Sequence, residues 1–313
     1  MTTSLVTSLP FIVKSETNNA PNDFNYNKFK QYYLIIYGSE ALYNIKDDFL
    51  NWFIGFTEGD GSFIISKTKN NALQFVITQS TEDVNILYYI QKTLGFGKVI
   101  KQGKRTSRFI VQDLKNIFLL ILLFNGNIIL PTRKIKFKIF LDNFNNKISK
   151  GKIKILSFLP NLNNIIILKY INSNILPSLT NSWLSGFTDA EGCFTVSFLS
   201  KPSNAFSLRY ILSQKGDENL PILSHFVLLF KGGVLEAHSA KSNYSYIFSG
   251  KDCCYKIYNY FKNFPLKTKK AISLDLWQKI HNKINNKEHL NPLLRQELIK
   301  MGKQVNSIKR KSK

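Results

Sequence analysis

The chain has 313 residues, with 43 basic against 20 acidic residues and a formal net charge of +23. That length can hold two cores of roughly 100 to 150 residues each, and a charge of this sign spread along the chain points to a polyanionic partner rather than to acidic or neutral ones. The cysteines, Cys193, Cys253 and Cys254, have neither disulfide-framework nor metal-ligand spacing, and the longest apolar run, IFLLILLF at 117–124, falls short of the roughly 20 residues that cross a bilayer.

In chain order, residues 1–46 repeat nowhere else and read as an N-terminal extension; VTSLPFIVKSE near its start lacks the basic region of a signal peptide. The first module spans 47–150. It opens on NWFIGFTEGDGSF (51–63), an apolar helical run that ends on Glu58 and Asp60. A helix C-terminus carries partial negative charge and favours Lys or Arg, so local stability did not select these acids. SFIISK (62–67) and LQFVIT (73–78) have the β-branched and aromatic composition of strands, joined by a polar Lys69-Asn70-Asn71 turn. Asp83 to Leu94 has helical apolar spacing with Ser80 or Thr81 as cap. Lys98–Lys101 and Arg108–Val111 form a second hairpin, followed by the apolar helix at 117–124 and a basic segment from Arg133. Residues 151–178, rich in Asn, Lys and Ile, read as a linker.

The second module, 179–284, repeats the first. SWLSGFTDAEGCF (182–194) matches NWFIGFTEGDGSF: Trp52/Trp183, Gly55/Gly186, Phe56/Phe187, Thr57/Thr188, Gly61/Gly192 and Phe63/Phe194 are identical, and the two acids swap type. The match continues in step. Gln79 answers to Gln214, Gly97 to Gly233, and ILPTRK, ending at Lys134, to PLKTKK, ending at Lys270. The fold class is therefore α+β, two tandem modules of helix, two strands, helix, two strands, helix. Residues 285–313 read as a basic tail, ending in KRKSK.

Gly55 and Gly59 share a helix face, as do Gly186 and Ala190, and small residues at this spacing let two helices approach closely. Packed about a pseudo-twofold, the helices bring Asp60 and Glu191 together. Two carboxylates in one site repel unless a cation neutralises them; a hard ion such as Mg²⁺ suits carboxylate, carbonyl and water oxygens. Glu58 and Asp189 point elsewhere and bond nearby backbone or basic groups. Paired acids, a metal and a basic surface describe phosphodiester hydrolysis.

FIGFTEGDG and LSGFTDAEG resemble the two signature helices of the LAGLIDADG homing endonucleases, in the single-chain, monomeric form, over about residues 48–280. The resemblance implies paired αββαββα modules whose antiparallel sheets form a saddle over double-stranded DNA, and cleavage of both strands of a long asymmetric target to promote intron homing. It implies that Asp60 and Glu191 bind metal, Mg²⁺ with Mn²⁺ as substitute, helped by the carbonyls of Gly59 and Ala190. Gln79 and Gln214 would order water, and Lys134 and Lys270 would polarise it, with Arg133 and Lys269 as adjacent candidates. Strand alternation puts Ser62, Ile64, Ser66 and Thr68, and Thr195, Ser197 and Lys201, on DNA-facing sides; Lys98, Gln102, Arg108, Arg209, His238, Tyr244 and Tyr246 are further candidates. An RNA maturase acting on its own intron is the alternative function, and a DNA-binding regulator without catalysis is a third, disfavoured by retention of both acids. The excess of 37 lysines over 6 arginines, with abundant Asn, Ile and Phe, fits an AT-rich organellar genome, mitochondrial before chloroplast.

Overall fold

A computed structural model describes residues 22–67, 71–151, 167–199, 204–238, 240–251 and 253–306. The first module runs α1 (Asn27–Tyr37), α2 (Ser39–Tyr43), α3 (Asp47–Asp60), β1 (Gly61–Ile65), β2 (Leu73–Ser80), α4 (Val84–Leu94), β3 (Lys98–Gln102), β4 (Thr106–Val111), α5 (Leu114–Phe124) and α6 (Pro131–Ser149). The second runs α7 (Trp183–Glu191), β5 (Gly192–Phe198), β6 (Phe206–Lys215), α8 (Leu220–Phe230), β7 (Val234–Ala237), β8 (Asn243–Ser249), α9 (Cys253–Asn263), α10 (Lys270–Asn285) and α11 (Pro292–Gln304).

Each module builds one four-stranded antiparallel sheet, ordered β1-β2-β4-β3 and β5-β6-β8-β7. Local chemistry explains the boundaries. Asp47 and Asp48 lie in the first turn of α3, where the helix dipole favours negative charge. Asp113 caps α5 by accepting from the Asn116 N–H, and Pro131 opens α6 where no N–H is needed. The Asp83–Leu94 expectation resolves into a short 3₁₀ turn over Thr81–Asp83, with Ser80 as its cap, and α4 proper.

Helices cover one face of each sheet. Phe63, Phe75 and Phe109 of the first sheet pack on Phe53, Phe124, Phe137 and Phe140. Tyr210, Tyr246 and Phe248 of the second pack on Phe230 and Phe261. The apolar run at 117–124 is a core helix, buried throughout, and no helix among the described residues is long and apolar enough to cross a membrane.

Between the modules, α3 and α7 meet backbone to backbone. A Cβ on Gly55 would overlap the Trp183 carbonyl oxygen, and one on Gly186 would overlap that of Trp52, so the twin glycines are what this crossing requires. The structure places residues 22–46 on the first module. Phe29 and Tyr33 are buried, and the Tyr33 hydroxyl donates to the Leu94 carbonyl at 2.9 Å. In the stretch read as a basic tail, residues 292–304 form α11, which buries Leu298 against the second module; KRKSK lies outside the described residues.

Candidate active site

The two motif helices end side by side, and the acids that end them share one half-buried site. The Gln79 side-chain amide donates to the Asp60 carboxylate, and that of Gln214 bonds Glu191. Burial pushes the Asp60 carboxyl up to about 6, with the Glu191 charge adding to it and Gln79, Lys270 and Arg133 opposing. Burial likewise raises Glu191 against Lys270, Arg133 and Gln214. Both acids thus sit where a further positive charge is favoured.

Two cations already lean on the backbone beside them. Arg133 donates to the carbonyls of Gly59 and Gly61, the latter at 3.0 Å. The Lys270 ammonium donates to the Ala190 carbonyl at 2.7 Å and the Thr188 carbonyl at 3.1 Å, and burial lowers its pKa while Asp60, Asp189 and Glu191 pull it back. Lys134, paired with Lys270 in the sequence alignment, points away: its ammonium donates to the Ser173 carbonyl at 2.6 Å. The reason is helical phase. α6 begins at Pro131, which puts Arg133 in its first turn toward the acids, whereas α10 begins at Lys270 itself. The basic pair is Arg133 and Lys270, one residue out of step with the motif alignment. Lys269 forms an ion pair with Asp83 of the first module at 2.8 Å, and both line the cleft that holds Asp60.

Glu58 and Asp189 hold this arrangement from beneath. Glu58 accepts from the Ile129 and Leu130 N–H groups that precede α6 and from the Trp183 indole N–H at 2.9 Å. Asp189 accepts from the Lys267 and Thr268 N–H groups that precede α10, from the Thr268 hydroxyl, and from the Trp52 indole N–H at 2.8 Å. Each acid ties the start of its own module's basic helix to the tryptophan of the opposite motif. The identical tryptophans in the repeat were the available signal for that crossing.

Two clefts open on either side of the helix pair. One, of about 690 Å³, is lined by Glu191, Gln214 and Arg133. The other, of about 340 Å³, is lined by Asp60, Gln79 and Lys270. Each therefore combines a carboxylate and an amide from one module with a cation from the other.

The open faces of the sheets flank the clefts. Ser62 and Ile64 project outward on β1, Lys98 and Gln102 on β3, and Ser197 and Arg209 on β5 and β6. Ser66, Arg108, Thr195 and His238 share those faces by alternation, His238 bonding Ser245 at 2.6 Å and Ser245 bonding Ser213 at 2.6 Å. Gln74, Thr78, Ser80, Ser207 and Ser245 join them and were passed over, although their alternation with Phe75, Ile77, Leu208 and Tyr246 was readable. Thr68 and Lys201 lie outside the described residues.

Tyr246 is a correction. β8 turns its even-numbered residues toward the helices, so Tyr246 is fully buried with its hydroxyl on the Gly232 carbonyl at 2.8 Å, whereas Tyr244, near the strand end, lines the cleft of Glu191 and Gln214 with its exposed hydroxyl on Asp217 at 2.7 Å. A one-residue choice of face moves every side chain of a strand.

A divalent ion fits this donor set. Among the described residues no three His, Cys, Asp or Glu side chains converge, so the protein offers Asp60, Glu191 and the adjacent carbonyls, all hard oxygens. Water and phosphate oxygens would complete the shell, as suits an ion bound beside a phosphate substrate. The cations on the Gly59 and Ala190 carbonyls mark the same preference for positive charge.

The family model described as LAGLIDADG endonuclease matches residues 53–144 and 184–281, both modules and both motif helices. This chain belongs to the LAGLIDADG endonuclease family. A relative from Neurospora crassa, named probable intron-encoded endonuclease 4, is 41% identical over 260 residues, covering 81% of this chain and 44% of its own length. The chain thus spans under half of that relative. A 37.2 kDa protein of cox1 intron 2 from Schizosaccharomyces pombe is 29% identical, covering 77% of this chain and 68% of its own length. More distant is the Saccharomyces cerevisiae intron-encoded RNA maturase bI4, 24% identical over 86% of this chain and 38% of its own length. Among solved structures, the LAGLIDADG meganuclease I-AabMI bound to uncleaved DNA superposes with a TM-score of 0.66 at 26% identity, covering 81% of this chain and 98% of that one. LAGLIDADG nucleases use divalent metals, and the relatives from cox1 and bI4 introns point to organellar genomes.

Proposed function

We propose that this LAGLIDADG protein is a monomeric, intron-encoded endonuclease that cuts both strands of a long asymmetric DNA site, with Mg²⁺ as its metal and the mitochondrion as its compartment. The observation that carries this reading is the doubled site: two raised carboxylates from twin helices, each in a cleft with a glutamine of its own module and a cation of the other, Arg133 beside Glu191 and Lys270 beside Asp60. One such cleft serves each strand.

Asp60 and Glu191, with the Gly59 and Ala190 carbonyls, would hold the ion, which when bound supplies activation of water and neutralisation of phosphate charge. Gln79 and Gln214 each occupy one carboxylate oxygen, which orients the other and leaves an amide to order water. Arg133 and Lys270 place fixed positive charge where a pentavalent phosphorane gains negative charge, and pre-set charge of this kind needs no reorganisation during the reaction. The open sheet faces carry Ser, Thr, Gln, Lys and Arg side chains for base edges and phosphates.

The test is linearisation of a plasmid carrying the intronless exon junction. Cleavage is expected with Mg²⁺ or Mn²⁺ and absent with chelator, and Asp60→Asn or Glu191→Gln should abolish it while binding persists. Cleavage by both variants would reject the assignment. The bI4 likeness supports a second reading as an RNA maturase, which splicing of the host intron with and without the protein separates from the first.

A further inference from the structure

The C-terminal helix α11 lies beyond the last residue matched by the family model, yet it engages the strand that leaves the active site. β5 begins at Gly192, next to Glu191, and is the outer strand of its sheet. Two of its successive carbonyls accept from side chains that follow the second sheet in the chain. The Trp277 indole N–H donates to the Thr195 carbonyl at 3.0 Å, and the Asn306 amide donates to the Phe194 carbonyl.

The densest of these contacts is Arg295, at the first turn of α11. One guanidinium nitrogen donates to the Asn204 carbonyl at 2.9 Å and, more weakly, to the His289 carbonyl at 3.4 Å. The other donates to the Leu199 carbonyl at 2.7 Å and the Ala205 carbonyl at 3.2 Å. The guanidinium also lies 5.3 Å from the Phe198 ring centroid. These acceptors flank the turn of the β5–β6 hairpin, whose ends are closed by the Leu199 N–H on the Ala205 carbonyl at 3.0 Å. A planar fork of donors fixes the mutual position of several carbonyls in a way an ammonium does not.

The helix is itself anchored. Asn291 caps it by accepting from the Leu293 and Leu294 N–H groups, Leu298 is fully buried, and Gly302 faces Phe198 and Val196. Arg295 therefore couples Leu199, Asn204 and Ala205 of the hairpin to the packed body of the module.

The same hairpin carries Ser197, Ser207 and Arg209 on its open face, with the Arg209 guanidinium donating to Ser207 at 3.0 Å. A strand advances about 3.3 Å per residue, close to the ~3.4 Å axial rise of duplex DNA per base pair. The Leu199 end of the hairpin thus lies roughly half a dozen base pairs from the scissile centre. We infer that Arg295 is a positioning residue for specificity: by clamping together the hairpin ends at Leu199 and at Asn204 and Ala205 it sets how Ser197, Ser207 and Arg209 meet the outer base pairs of the second half-site. This rests on the endonuclease reading above.

The test is a binding and cleavage profile of wild type, Arg295→Ala and Arg295→Lys on a duplex library varied one base pair at a time across the intronless exon junction. Melting temperature and amide exchange at Leu199 and Ala205 are measured in parallel. For Arg295→Ala, discrimination at the outer base pairs of one half-site should fall about tenfold, of the order of one mismatch. Central and opposite-half preferences and the cleavage rate on the preferred site should hold, and exchange at the turn should rise. Arg295→Lys should be intermediate.

An unchanged profile in a folded Arg295→Ala variant would overturn the inference, and so would relaxation spread evenly over both half-sites. If Arg295→Ala fails to fold, Arg295→Lys alone decides: a wild-type profile with faster turn exchange would reject the role. Wild type that binds no member of the library would reject the endonuclease reading instead, which keeps the two failures apart.

Discussion

Trp183 of one motif helix donates its indole N–H to Glu58 of the other at 2.9 Å, deep in the crossing. The same carboxylate holds the backbone N–H groups of Ile129 and Leu130 just before α6. Removing it leaves three buried donors without a partner, each costing about 1–3 kcal/mol. Glu58→Ala should therefore lower unfolding free energy by about 3–5 kcal/mol in a denaturant titration, and slow cleavage as α6 and its Arg133 lose their seat. Wild-type stability in this variant would mean that the carboxylate is dispensable to the crossing.

The raised carboxyl of Asp60 makes metal-free stability depend on pH. Its folded value of about 6 lies above the ordinary 3.8, so the neutral acid is the form the fold favours. Its stabilising contribution is complete below about pH 4 and is lost as pH rises through about 6. Asp60→Asn removes that loss. In chelator it should be more stable than wild type at pH 8, by up to about 3 kcal/mol, with the gain gone by pH 4. Thermal melts of both proteins across that range check the sign. Metal should reverse the order at pH 8, because it stabilises only the protein that keeps the carboxylate.

Gly55 tests the crossing directly. A methyl there meets the Trp183 carbonyl and the Phe187 backbone nitrogen, neither of which can swing aside like a side chain. Gly55→Ala should force the helices apart, cost roughly 3 kcal/mol or more by overpacking, and reduce cleavage beyond the loss of folded protein. Equal stability would show that the crossing tolerates a wider approach.

How much of this was legible follows from what repeats and what only packs. The doubled motif gave the modules, the glycine contact and the pair Asp60 and Glu191, because spacing along a helix fixes a face. Gly97 and Gly233 correspond in turn, both with left-handed φ, 84° and 91°, and each against an aromatic ring of its own sheet. Lys134 was misplaced because helical phase at an N-terminus depends on where the helix starts, and Pro131 starts α6 earlier than the alignment allowed. Tyr246 was misplaced because YSYIFS alternates aromatic and small residues without saying which face meets α8. Packing of Tyr246 on Phe226 and Phe230 decides it. The roles of residues 22–46 and of α11 have no counterpart in the repeat and emerge only from tertiary contact.

The composite clefts yield a strand-resolved prediction. Arg133 lines the cleft of Glu191 and Gln214, and Lys270 lines that of Asp60 and Gln79. If each cleft serves one strand, removing a cation should slow that strand selectively. Loss of one pre-set positive group in such a site typically costs about 100-fold in rate. On a duplex labelled differently at its two ends, Arg133→Ala should accumulate nicks in one strand and Lys270→Ala in the other, whereas Lys134→Ala should cut both at wild-type rates. Equal slowing of both strands by either variant would mean that the cations act on a shared centre. That alternative has a basis in the structure, since both cations oppose the raised pKa of both acids. The cleft assignment is the better guide to strand choice, because charge acts across the whole site whereas a hydrogen bond to a phosphate oxygen requires contact within about 3 Å, and contact is what the cleft walls define.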